Sequence, residues 1–119
     1  MLCAYATRNP EYIMALTPED WEAFAKACLR LHRDELFEFS LSVVDYESLV
    51  LRVTGISLWG STSPQEVREM AEALNKYPPQ ELVKLCGRGY TEEEMESLQR
   101  FFNICVQRGL GLVTRLEFA

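Results

Sequence analysis

Apolar positions recur along this chain with a helical period in three long stretches and with a strand period in one. Trp21, Phe24, Ala25, Cys28 and Leu31 share one face at spacings of three and four, which predicts a helix over 18–33. Its start is marked by Thr17-Pro18-Glu19-Asp20: a capping hydroxyl, a proline where the missing N–H costs nothing, and an acid three residues past the cap. Leu16 and Trp21 occupy the two positions of a hydrophobic staple, and Lys26, Arg30 and Arg33 set positive charge toward the C-terminal end of the macrodipole. Ser63-Pro64-Gln65-Glu66 repeats the signal, followed by Val67, Met70, Ala71, Leu74 and Tyr77 up to the stop at Pro78-Pro79. Pro79 opens a short helical segment through Leu82, Val83 and Leu85, closed by Gly87. Thr91-Glu92-Glu93-Glu94 is a third capping box, with Tyr90 and Met95 as its staple; Met95, Leu98, Phe102, Cys105 and Val106 carry the stripe to a C-terminal cap at Gly109. Asn9-Pro10-Glu11 also starts a single helical turn.

Between the first two long helices the period changes to two. Phe37, Phe39, Leu41 and Val43 alternate with Glu38, Ser40 and Ser42, and Leu49, Leu51 and Val53 alternate with Val50, Arg52 and Thr54. With Asp45-Tyr46-Glu47-Ser48 as the turn, this predicts an antiparallel hairpin over about 36–59, with Tyr46 exposed at its tip. The parity slips at Thr54-Gly55, which reads as a β-bulge in preference to a turn into a third strand. Leu112, Thr114, Leu116 and Phe118 against Val113, Arg115 and Glu117 allow residues 112–118 to return as an edge strand. Helix, strands, then helices again is not the alternation of a parallel α/β sheet. The expected class is α+β: one globular domain over 1–119, with a small antiparallel sheet covered by three to four helices.

Composition narrows the function classes. The chain has 119 residues, 48% of them hydrophobic, with 18 acids against 12 basic groups and a net charge of -6. That balance argues against nucleic acid, whose backbone attracts clustered Lys and Arg. No apolar run approaches the roughly 20 residues of a membrane span, and Met1 to Ala6 lack a leader pattern, so the expectation is a cytoplasmic protein that crosses no membrane. Cys3, Cys28, Cys86 and Cys105 have no C-x-x-C and no histidine at zinc-finger spacing, so they read as thiols of a reducing compartment, with no metal and no cofactor expected.

Candidate chemistry is sparse. His32, the single histidine, falls in the last turn of the first predicted helix, where it suits the terminal carbonyls better than a role as base to Cys28. Glu92, Glu93 and Glu94 point in successive directions around a helix start and are accounted for by the dipole. Arg88, in Gly87-Arg88-Gly89-Tyr90 ahead of a helix N-terminus, is a weak candidate for an anion contact. Trp59, ahead of Gly60-Ser61-Thr62, either tucks over the core or stands out as an interface anchor, and Asp45, Tyr46 and Glu47 form an acidic-aromatic tip suited to a basic groove. These features point to a non-catalytic, cytosolic protein-binding module: a small regulator, adaptor or inhibitor whose partner is another protein, a basic one in its most concrete form. The alternative is a small-molecule binder or minimal enzyme with a pocket between sheet and helices, gathering residues such as Arg52, Arg88 and His32. The chain acts as a monomer, or as a homodimer through a strand edge at 37–43 or 112–118.

Overall fold

The computed structural model describes residues 2–31, 43–86 and 89–116. Strand β1 (Leu2–Thr7) leads into a one-turn helix α1 (Pro10–Met14) and then α2 (Pro18–Leu31). Helix α3 (Val43–Thr54) and the two-residue strand β2 (Ser61–Thr62) follow, then α4 (Pro64–Asn75), α5 (Pro79–Cys86), α6 (Glu92–Arg108) and β3 (Gly111–Leu116). The class is α+β, with six helices and a three-stranded antiparallel sheet among the described residues.

The three helix starts form as their sequences dictate. Thr17 Oγ1 accepts from the Asp20 N–H at 3.2 Å and donates to the Asp20 carboxylate at 2.9 Å. Ser63 with Glu66, and Thr91 with Glu94, make complete capping boxes in which each residue's side chain accepts from the other's backbone N–H. Gly109, at φ 66°, closes α6 in the left-handed conformation that favours glycine. The stripes behind these caps build the core: Val67, Met70, Ala71 and Leu74 of α4, Leu82 of α5, and Met95, Leu98, Phe101, Phe102 and Cys105 of α6 are all buried. Tyr77 falls beyond the end of α4 and is exposed, so it does not extend that stripe. Neither Cys86 nor Cys105 is in a disulfide. Cys3 and Cys28 are placed only by backbone, and His32, Gly87 and Arg88 lie outside the described residues.

The expected hairpin over 36–59 is not what residues 43–54 form. They are helix α3, and residues 36–42 lie outside the described residues. Tyr46, Leu49 and Val50 are buried and Val53 is half-buried, while Ser48, Leu51 and Arg52 face water. A strand would bury Leu49, Leu51 and Val53 together, yet Leu51 is 45% exposed. The nearly continuous apolar run 49–53 satisfies both periods, and the i, i+3, i+4, i+7 set 46, 49, 50, 53 is the one that finds a surface to pack on. The parity slip at Gly55 is therefore a helix end and not a bulge: Gly55, at φ 76°, donates to the Leu51 carbonyl at 2.9 Å.

The C-terminal strand forms but is central, not an edge: the order is β1-β3-β2. Leu2 to Thr7 pair with Leu116 to Gly111 on one side, and Ser61 and Thr62 pair with Val113 and Leu112 on the other. One edge of β3 is thus paired with β1 over Gly111–Leu116 and the other with β2 at Leu112 and Val113, while residues 117 and 118 of the expected 112–118 edge lie outside the described residues. Consecutive residues Ala4, Tyr5 and Ala6, and likewise Leu112, Val113 and Thr114, are buried, so both sheet faces are covered. Trp21 of α2 meets Tyr5 edge-on at 4.9 Å on one face. The other face joins the core built by α3, α4 and α6. At Gly111 the layers approach so closely that a Cβ would lie 2.5 Å from the Thr62 carbonyl and 2.8 Å from Pro10 Cγ.

Candidate functional site

The residues singled out in the sequence do not converge. Asp45, Tyr46 and Glu47 lie near the start of α3, and Trp59 follows its other end; the helical rise alone puts roughly 12 Å between residues 46 and 54. Tyr46 is not an exposed tip. It is 5% exposed, its ring lies 5.5 Å from that of Tyr90, and its hydroxyl makes a long 3.5 Å bond to the Glu94 carbonyl. It helps seat α3 against the start of α6. Glu47 is half-buried beside it. Arg52, one of the residues expected in a pocket, is exposed and donates to the Leu85 carbonyl at 2.7 Å, tying α3 to the end of α5.

Trp59 is presented by a constrained loop. Thr54 Oγ1 donates to the Val50 carbonyl at 2.7 Å and accepts the Ile56 N–H at 3.1 Å, turning the chain as α3 ends. Leu58 is then wholly buried, and Gly60 takes φ 82° to turn into β2. The carbonyls on either side of Trp59 are both held by Thr114 of β3: its hydroxyl donates to the Leu58 carbonyl, and its N–H donates to the Gly60 carbonyl at 2.9 Å. Trp59 donates its own N–H to Ser57 Oγ at 3.1 Å. Its side chain is left 52% exposed.

Thr114 also lines an open cleft of about 230 Å³ with Val113 of β3, Met14 and Leu16 from the α1–α2 connection, and Pro18 and Trp21 of α2. The capping proline and the staple pair Leu16 and Trp21 thus do more than start α2: they form much of the cleft's apolar lining. Met14 at its mouth is half exposed. The polar side-chain groups in this lining are the Thr114 hydroxyl, which is already engaged by the loop, and the Trp21 indole N–H. Among the described residues no three His, Cys, Asp or Glu side chains are grouped to hold a metal ion. The arrangement offers shape, apolar contact and an aromatic projection from one pinned wall. No protein-family model matches the chain, and no curated protein or solved structure is significantly similar to it.

Sequence reasoning missed this cleft for a definite reason. Leu16, Pro18 and Trp21 were legible as a helix start, but Val113 and Thr114 complete the wall only because β3 is the central strand.

Proposed function

We propose that this chain is a protein-binding module of the cytoplasm, acting on another protein through the surface that carries Trp59. The observation that carries the reading is a tryptophan half in water on a loop whose flanking carbonyls are both fixed by Thr114. A large aromatic on a backbone fixed before binding contributes contact area without the cost of ordering a loose loop. Such residues are the usual energetic centres of protein interfaces. No helix among the described residues is long and apolar enough to cross a membrane, which agrees with a partner met in solution. The acidic composition adds steering toward basic partners. A small-molecule reading has less support, because the cleft of about 230 Å³ is below the roughly 300–1,000 Å³ of typical ligand pockets and lacks convergent polar groups.

The test is photo-crosslinking in the cells that make the protein, from a reactive residue at exposed Ser61, two positions from Trp59. The expected result is a discrete adduct with one protein that disappears in the Trp59→Ala variant while the variant stays folded, its unfolding free energy lowered by about 1 kcal/mol or less. Adducts unaffected by Trp59→Ala, or no adduct at all, would sink the reading.

A further inference from the structure

The segment that carries Trp59 differs from the rest of the chain in its charge. Charged residues make up 25% of the sequence, yet none of residues 53–65 is charged. The charges that bound this stretch are engaged elsewhere: Arg52 donates to the Leu85 carbonyl at 2.7 Å, and the Glu66 carboxylate accepts the Ser63 N–H at 3.0 Å. The exposed members of the stretch are Gly55, Ser57, Trp59, Ser61 and Gln65. Ser57 Oγ is occupied by the Trp59 backbone N–H, while the Trp59 indole N–H makes no hydrogen bond among the described residues. A neutral surface around one large aromatic is the composition of the buried centre of a protein interface, from which charge is depleted because an unpaired charge is costly to desolvate. Burying the indole leaves its N–H in need of an acceptor. A carboxylate in that role would be held against a chain of net charge -6, so the favoured acceptor is a neutral oxygen, a carbonyl or a hydroxyl.

We propose that Trp59 enters an uncharged, apolar-walled pocket of its partner, in which a neutral oxygen accepts the indole N–H. The inference rests on the protein-binding reading above and adds the chemistry of the surface that receives Trp59. The acidity of the remainder of the chain then governs how fast the partner arrives and not how long it stays. The probe is the protein recovered in the Trp59-dependent adduct, purified and passed over the immobilised full chain, so that association and dissociation are read separately. Raising salt from about 0.05 to about 0.5 M is expected to slow association and to change the dissociation rate less than about twofold. Replacing Trp59 by benzothienylalanine, which keeps the ring shape and lacks the N–H, is expected to speed dissociation roughly tenfold. Ser61 is exposed two positions from Trp59. Measured against Ser61→Gln, both Ser61→Glu and Ser61→Lys are expected to weaken binding roughly tenfold, because either sign of charge is carried into a neutral contact. Circular dichroism checks that each variant folds. Tighter binding of Ser61→Glu overturns the proposal in favour of a cation over the indole face, and tighter binding of Ser61→Lys overturns it in favour of a carboxylate. Affinity unaltered by either charge, unchanged dissociation of the benzothienyl variant, or a dissociation rate that follows salt also overturns it. If the adduct forms and these results go against the pocket, only this inference falls; if no Trp59-dependent adduct forms, the protein-binding reading falls with it.

Discussion

In the helical layer, Met70, Leu74, Leu82, Met95, Leu98 and Phe102 are all withdrawn from water, whereas Tyr12 and Met14 of α1 and Trp59 before β2 keep half of their surface or more exposed. Both groups are large and apolar, so hydrophobicity alone does not separate them. In the helical layer the side chain's own burial holds the backbone in place. At the Trp59 loop the backbone is held by Thr114 and by the burial of Leu58, and the exposed side chain contributes little to holding it. Residues of the first kind serve the fold, and those of the second kind are free to serve a partner. Substitutions can pull the two apart.

The largest effect belongs to the helical layer. Phe102 is wholly buried and meets Phe101 edge-on with ring centroids 6.0 Å apart. Phe102→Ala should cost about 3–5 kcal/mol in urea unfolding, a large part of the roughly 5–15 kcal/mol that stabilises a domain of this kind. A cost below about 1 kcal/mol would mean that this layer is not the stability core. Leu58, also wholly buried, should behave as a member of the same layer, with Leu58→Ala costing about 2–5 kcal/mol although it adjoins Trp59.

Two buried threonines then give a sharper contrast. Thr114 donates its hydroxyl to the Leu58 carbonyl, while the Thr62 hydroxyl is buried without a hydrogen-bond partner. Thr114→Val should cost about 1–3 kcal/mol, because it strands a carbonyl in a dry site. It should also raise amide exchange at Trp59, since the loop loses one of its two ties. Thr62→Val has the same shape change but deletes a group that gains nothing from being there, so it should be neutral or stabilising by about 1 kcal/mol or less. Equal costs for the two valines would break the assignment of Thr114 as the residue that pins the loop.

How far the sequence reveals these regions follows from where each interaction sits. Thr17 with Asp20, Ser63 with Glu66 and Thr91 with Glu94 are local pairs, and all three helix starts were legible from four residues each. Helix α3 has the same kind of signal in Ser42-Val43-Val44-Asp45, but its β-branched, continuous apolar run let the strand period mask it. Strand β1 gives no strand signal because Ala4 to Thr7 are buried on both faces and so show no apolar–polar alternation. The exposure of Trp59 depends on Thr114, whose hydroxyl partner Leu58 is 56 residues earlier in the chain. No local pattern encodes a tie of that length, and the same tie completes the cleft.

The smallest stability effect should come from the largest side chain. Trp59→Ala removes more atoms than Leu58→Ala, and if size governed, it would cost more. The 52% exposure of Trp59 against the complete burial of Leu58 reverses that order. Area counted against an extended chain also overstates the gain on folding, because an unfolded chain already hides part of it. Its loop also keeps the Thr114 hydrogen bonds and the left-handed turn at Gly60 when the indole is gone. The expected cost is about 1 kcal/mol or less, read by urea unfolding beside Leu58→Ala. A cost of about 3 kcal/mol or more would place Trp59 among the residues that hold the fold together and would remove the basis for assigning it to a partner. A small cost joined to loss of the crosslinked adduct would show the indole serving recognition and not folding.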